Sequence, residues 1–205
     1  MGAVDKERMI KLIIFDLSGV CFSNEEPVYL ELFTRRHGLD RDVFLERYYE
    51  FIRQAETGKL AGKVLWKKLL REFGVAADAE EIIREMIGMK TPEPEVLELA
   101  RRLKEHYSVV YITNYNEDYW ELIKKRFDFP RWFSWGVVSC EIGVRKPGRQ
   151  CFEHILARSR VRPEEAMFID DSPGNLLEPA ALGIHAIRFI SRTALRDELR
   201  RFGLI

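Results

Sequence analysis

The sequence predicts an α/β fold: a central parallel sheet covered by helices, with an all-helical insert entered just after the first strand. Three observations support this. One apolar run over residues 9–15, with Lys11 as its only charge, reads as a central strand. From Glu25 to Arg102 strand-like runs vanish and helical periodicity takes over. Beyond that point strands and helices alternate to the end, which implies right-handed crossovers and a parallel sheet. A chain of 205 residues can form one sizeable domain carrying a smaller insert. The expected division is residues 1–23 and 92–205 for the α/β part and 24–91 for the insert.

The elements follow in order. The first strand is bounded by Ser18-Gly19. In the insert, Pro27 starts a helix carrying Tyr29, Leu30 and Phe33, stopped near Gly38; Asp40 caps a second with Phe44, Tyr48 and Phe51 on one stripe. Gly58 and Gly62 bracket a loop, a third helix carries Val64, Leu65, Leu69 and Leu70 and ends at Gly74, and Asp78 caps a fourth with Ile82, Ile83 and Met86. Pro92 and Pro94 mark the return, opening a helix through Val96, Leu97, Leu99, Ala100 and Leu103. Strands are then expected over 109–112, 135–139, 166–169 and 185–190, with helices over 119–127, 151–157, 175–182 and 193–202. Tyr48, Tyr49, Phe51 and Trp66 are expected to pack the insert, with one or two of them, or Tyr115 and Trp120, facing a site.

Composition excludes several classes. The chain is 46% hydrophobic and 32% charged, ordinary globular material, and its formal net charge is zero. Without a dense basic run, nucleic acid is a poor partner. No apolar run of ~20 residues is present, so no membrane span is expected. The start, Met1-Gly2-Ala3-Val4-Asp5-Lys6-Glu7-Arg8, has no apolar core for a signal peptide. Cys21, Cys140 and Cys151 do not make a disulfide framework and read as reduced thiols of a cytoplasmic protein. Scattered aromatics define no patch, so the oligomeric state is not legible.

Four short segments hold the chemistry: Phe15-Asp16-Leu17-Ser18-Gly19-Val20, Ile112-Thr113-Asn114, Arg145-Lys146-Pro147 and Phe168-Ile169-Asp170-Asp171-Ser172. Three of them end apolar runs, which puts Asp16, Thr113 and the pair Asp170-Asp171 at strand tips, where open α/β sheets bind ligands. A carboxylate, a hydroxyl, an amine and two further carboxylates suit a phosphate and a divalent cation. Each piece alone has a plain alternative: a cap, a turn, or a solvated lysine. Adjacent carboxylates at a strand tip repel unless a cation joins them, so Asp170-Asp171 is the strongest single piece. His37, His106, His154 and His185 are scattered and suggest no competing metal cluster.

Taken together, the order Asp, Thr, Lys, Asp-Asp resembles the haloacid dehalogenase (HAD) superfamily. Gly143-Val144-Arg145-Lys146-Pro147, Pro173-Gly174-Asn175 and Ala181-Leu182-Gly183-Ile184 extend the likeness over essentially the whole chain. It looks most like the branch of sugar-phosphate (glucose-1-phosphate type) phosphatases and the amino-terminal phosphatase domain of soluble epoxide hydrolases. The resemblance implies a three-layer Rossmann-like core with a helical cap, and a Mg²⁺-dependent phosphatase acting on a small phosphorylated metabolite. It implies that Asp16 attacks phosphorus and carries an aspartyl-phosphate, and that Thr113 and the amide of Asn114 hold the phosphoryl group. It further implies that Lys146 neutralises charge, that Asp16, Asp171 and the carbonyl of Ser18 bind the metal, that Asp170 acts on its water shell, and that Asn175 stands behind these ligands. A cap loop near Lys59 and Lys63 is a candidate lid contact, against the plainer reading of a solvated helix start.

One residue departs from the family pattern. Such phosphatases usually place an Asp acid/base two residues after the nucleophile, where this chain has Ser18. General acid–base help is worth ~10²–10⁴ in rate, so turnover on generic esters is expected to be low. Two alternatives stay open: a 2-haloacid dehalogenase of the same fold, disfavoured by the retained Asp170-Asp171, and a phosphate-binding or phosphotransfer protein that has lost turnover.

Overall fold

The structure, a computed structural model, describes residues 9–205. Residues 1–8, where the sequence shows no signal-peptide core, lie outside the described part. The chain runs β1 (Leu12–Asp16), α1 (Glu26–His37), α2 (Arg41–Ala55), α3 (Gly62–Glu72), α4 (Ala79–Gly88), α5 (Pro94–Leu103), β2 (Ser108–Thr113), α6 (Glu117–Arg126), α7 (Phe129–Trp132), β3 (Trp135–Val138), α8 (Ser139–Ile142), α9 (Arg149–Ser159), β4 (Ala166–Asp170), α10 (Leu177–Leu182), β5 (His185–Arg188) and α11 (Arg192–Arg201). The five strands form one parallel sheet in the order β3-β2-β1-β4-β5.

Strand β1 is buried throughout, as a central strand covered on both faces must be. Alternate residues feed two cores. Leu12 and Ile14 pack with Val110, Phe152, Ile155 and Phe168 on one face. Ile13 and Phe15 belong to a larger apolar cluster on the other face, and that cluster continues without a break into the insert through Phe22, Tyr29, Trp66 and Leu69. Trp66, fully buried, donates its indole N–H to the Tyr119 hydroxyl of α6 at 2.7 Å. The insert therefore shares one core with the sheet layer beneath it.

Two connections join the insert to the sheet, and they are bonded to each other. The backbone N–H of Ser23 donates to Thr91 O (2.8 Å), that of Glu93 to Cys21 O (2.9 Å), and that of Thr91 to Ser23 Oγ (2.9 Å). Further contacts fasten the insert. Arg145 Nε donates to Glu56 at 2.6 Å, Arg126 reaches the carbonyls of Ile87 and Gly88, and the backbone N–H of Lys63 donates to Asp118 at 2.8 Å.

Element types follow the sequence closely, with local differences. The first strand runs Leu12–Asp16 rather than 9–15, because Met9 lies exposed before the sheet. The 135–139 strand stops at Val138 and the last strand at Arg188. Helices α7 and α8 have four residues each, barely one turn, too short for a periodicity to register. Val64, expected on the apolar stripe of α3, faces solvent. Tyr48, Phe51 and Trp66 are buried, whereas Tyr49 is largely exposed against the edge of Tyr48. No helix among the described residues is long and apolar enough to cross a membrane.

Candidate functional site

Sheet order brings the distant segments together. Strands β2, β1 and β4 are adjacent, with Asp16 in register with Ile112 and Phe15 with Ile169. Asp16, Thr113 and Asp170 thus end three neighbouring strands at the same edge. There a cavity of about 450 Å³ opens between sheet and insert, lined on the sheet side by Asp16, Ser18, Thr113, Asn114, Lys146 and Asp171, with Asn175 at its border. Of the expected phosphate- and metal-site residues, Asp170 stands behind this wall instead of on it.

The charges interlock. Lys146 Nζ lies 2.6 Å from Asp16 Oδ1 and 2.7 Å from Asp170 Oδ2, and all three side chains are buried. Burial alone would lower the Lys146 ammonium, but Asp16 and Asp170 outweigh it and hold it above its ordinary range. Burial pushes the Asp16 carboxyl up to about 7, against the pull of Lys146 and with a further push from Asp170. Asp170 is saturated: Ser172 N–H donates to Oδ1 at 2.9 Å, and Asn175 Nδ2 lies 3.1 Å from both oxygens. Its partner Asp171 faces the cavity instead, its carboxyl raised by burial and by Asp170. Carboxylate oxygens of Asp16, Asp170 and Asp171 lie within 4.8 Å of one another. Such a set of hard oxygens beside one ammonium fits a small divalent cation and holds no soft ligand that would favour zinc.

Local backbone geometry positions these groups. After β1 the chain turns tightly: Cys21 and Phe22 N–H both donate to Leu17 O, and Gly19 N–H donates to Phe22 O. Gly19 adopts φ +90°, and a Cβ there would sit 2.4 Å from Asp171 Oδ2; only glycine permits both. The Leu17 N–H donates to Asp16 Oδ1 at 2.7 Å, fixing the carboxylate. Asn114 clamps the Lys146 peptide on both sides, accepting from its N–H at 2.9 Å and donating to its C=O at 3.1 Å.

Around Ser18 the structure places Tyr115, one of the aromatics expected to face a site, and Lys90, which the sequence concealed. Its hydroxyl lies 2.5 Å from the Tyr115 hydroxyl, and Lys90 Nζ donates to it at 3.3 Å. Lys90 is only 1% exposed; it also donates to Glu25 at 2.7 Å and to Ser23 O at 2.9 Å. Burial lowers its ammonium, and Glu25 opposes that shift. Tyr115 faces the cavity with Trp120 stacked behind it. Glu25, Glu26 and Glu56 also line the cavity. Lys59 and Lys63 do not: Lys59 is solvated, and Lys63 pairs with Glu80 at 3.1 Å.

Comparison with known proteins agrees with this geometry. The model of a hydrolase family, the haloacid dehalogenase-like hydrolases, matches residues 10–183. A D-ribitol-5-phosphate phosphatase of Bacteroides thetaiotaomicron is 24% identical over 204 residues, covering 93% of this chain and 97% of that protein. A sesquiterpene phosphatase of Aspergillus oryzae is 26% identical, covering 93% and 95%. The crystal structure of a HAD family enzyme of Bacteroides thetaiotaomicron, in complex with magnesium and inorganic phosphate, superposes with a TM-score of 0.73 at 23% identity over 87% of this chain and 93% of that one. A sheet of this order, a site at the tips of β1, β2 and β4, and a family match over most of the length lead to one conclusion: this chain is an enzyme of the haloacid dehalogenase-like hydrolase family.

Proposed function

We propose that the enzyme is a Mg²⁺-dependent phosphatase that hydrolyses a small phosphorylated metabolite through an aspartyl-phosphate on Asp16. The observation that favours this most is the buried Asp16–Lys146–Asp170 array with Asp171 and Thr113 at one cavity wall. The phosphatase relatives and the magnesium and phosphate complex of a structural neighbour support it. Residues 24–91 act as the cap over a core formed by 1–23 and 92–205. The three free cysteines favour a reducing, cytoplasmic setting.

Asp16, Asp171 and the Ser18 carbonyl would hold Mg²⁺, with Asp170 and Asn175 supporting them. When bound, the ion draws charge from the phosphoryl oxygens. An Asp16 oxygen attacks phosphorus; that bond forms as the bond to the leaving oxygen breaks, and the leaving oxygen takes up a proton. Thr113 and the Asn114 amide hold the three peripheral oxygens, and Lys146 offsets their charge. Water then attacks phosphorus, releasing phosphate and restoring the Asp16 carboxylate. Ser18 supplies no carboxyl for either proton transfer, so turnover on generic esters is slow.

The test is release of phosphate from sugar phosphates, nucleotides, acyl phosphates and p-nitrophenyl phosphate, with Mg²⁺ and with EDTA. Turnover that requires Mg²⁺ and vanishes in Asp16→Asn is the expected result. Absence of phosphate release from every ester, or metal-independent chloride release from 2-haloacids, overturns the reading.

A further inference from the structure

The insert-side wall of the cavity is acidic. Glu25, Glu26 and Glu56 all line it, and among the described residues Lys146, already engaged by Asp16 and Asp170, is the only cationic side chain on any wall. Two of the three glutamates are matched from behind: Glu25 by Lys90 at 2.7 Å and Glu56 by Arg145 at 2.6 Å. Glu26 differs. Its Oε2 accepts from the Tyr48 hydroxyl at 3.0 Å, and among the described residues no Lys or Arg comes within ion-pair distance of it. Tyr48 is itself fully buried in the insert's core, so Glu26 is presented on a rigid support.

This arrangement bears on what occupies the cavity. A phosphate brings its own negative charge, matched by Lys146 and the cation its partners would hold. A second anion on the leaving part would face Glu26 with Glu56 close by, and like charges at close range are strongly disfavoured. A neutral polyol would satisfy hydrogen bonds but bring no cation to Glu26. An ammonium supplies three donors and the positive charge that Glu26 lacks as a neighbour.

We propose that the substrate is a phosphate monoester of an amino alcohol or amino sugar, its ammonium held by Glu26 with Glu56 beside it. This rests on the phosphatase reading for the anionic end alone.

The experiment is calorimetric binding to the Asp16→Asn protein in Mg²⁺, where nothing is turned over. The ligands are 2-aminoethyl, 3-aminopropyl and 4-aminobutyl phosphate and glucosamine 6-phosphate, each against its hydroxyl counterpart, with 6-phosphogluconate as the doubly anionic control. At least one amine is expected to bind about tenfold or more tighter than its counterpart, and 6-phosphogluconate weakest. Glu26→Gln, which preserves an acceptor for Tyr48, is expected to bring that ratio within about twofold, and Glu56→Gln to reduce it less. Equal affinities in every pair overturn the proposal, as does a preference that Glu26→Gln leaves intact. Turnover of p-nitrophenyl phosphate by the unsubstituted protein separates the two readings. If it occurs while the pairs bind equally, only the amine is wrong; if it is absent and inorganic phosphate does not bind, the phosphatase reading fails and the amine with it.

Discussion

Position 18 concentrates the chemical peculiarity of this enzyme. A serine hydroxyl there accepts from a buried lysine and meets a tyrosine hydroxyl, so the space a carboxylate would fill is polar, beside a lysine already paired with Glu25. Ser18→Asp would share Lys90 with Glu25 and would supply a carboxyl able to act as acid and base. Phosphatase kcat is expected to rise by about 10²-fold, read with p-nitrophenyl phosphate and an alkyl phosphate; an unchanged rate in a folded protein refutes the proposal that Ser18 limits turnover. The partner of Lys90 is equally exposed to test. Glu25→Gln would leave a buried ammonium without its counter-charge, at a cost of about 3 kcal/mol in denaturant unfolding. The sequence made the strand-tip residues legible, because Asp16, Thr113 and Asp170-Asp171 each end an apolar run. It hid Lys90, which in one dimension resembles any solvated lysine, and Glu26, which looks like an ordinary acidic residue in the first turn of a helix. Their burial arises from the meeting of two connections far apart in sequence, and no local pattern encodes that.

Among the elements, the capped helices and the strands were readable from periodicity and punctuation. Asp40 and Asp78 cap α2 and α4 as expected, each accepting from backbone N–H groups of the first turn. Asn116 was missed as the cap of α6, although it accepts from Tyr119 N–H at 3.1 Å. The reason is tertiary: Asn116 is fully buried beneath α3. A Cβ on Gly62 would come within 2.4 Å of Asn116 Oδ1. Gly62→Ala must therefore displace either the cap or the start of α3, and a loss of about 1–3 kcal/mol is expected from thermal or denaturant melts. An unchanged melting temperature would show that α3 and α6 separate more easily than their packing indicates.

For the molecule as a whole, the continuous apolar cluster makes insert and sheet cooperate in stability, and the acidic cavity between them adds a pH dependence. Burial, with Glu56 adding to it, pushes the Glu26 carboxyl up from an ordinary 4.5 to about 7. The native state then binds more protons than the unfolded chain across that window, so stability falls as pH rises from about 4.5 to 7. Glu26→Gln removes this slope. Relative to the parent it should gain about 3 kcal/mol between pH 4 and pH 8 in urea unfolding, and identical slopes for the two proteins would contradict the assignment.

The paired connections carry one more consequence. Ser18 belongs to the outgoing path and Lys90 to the returning one, and the rungs from Cys21 and Ser23 to Glu93 and Thr91 make the two paths a single ribbon. Such a ribbon is the natural axle for any rocking of the insert. Points on an axle move least when it turns, so the contact between the Lys90 ammonium and the Ser18 hydroxyl would hold while the far rim of the insert swings, keeping the charge beside Asp16 constant.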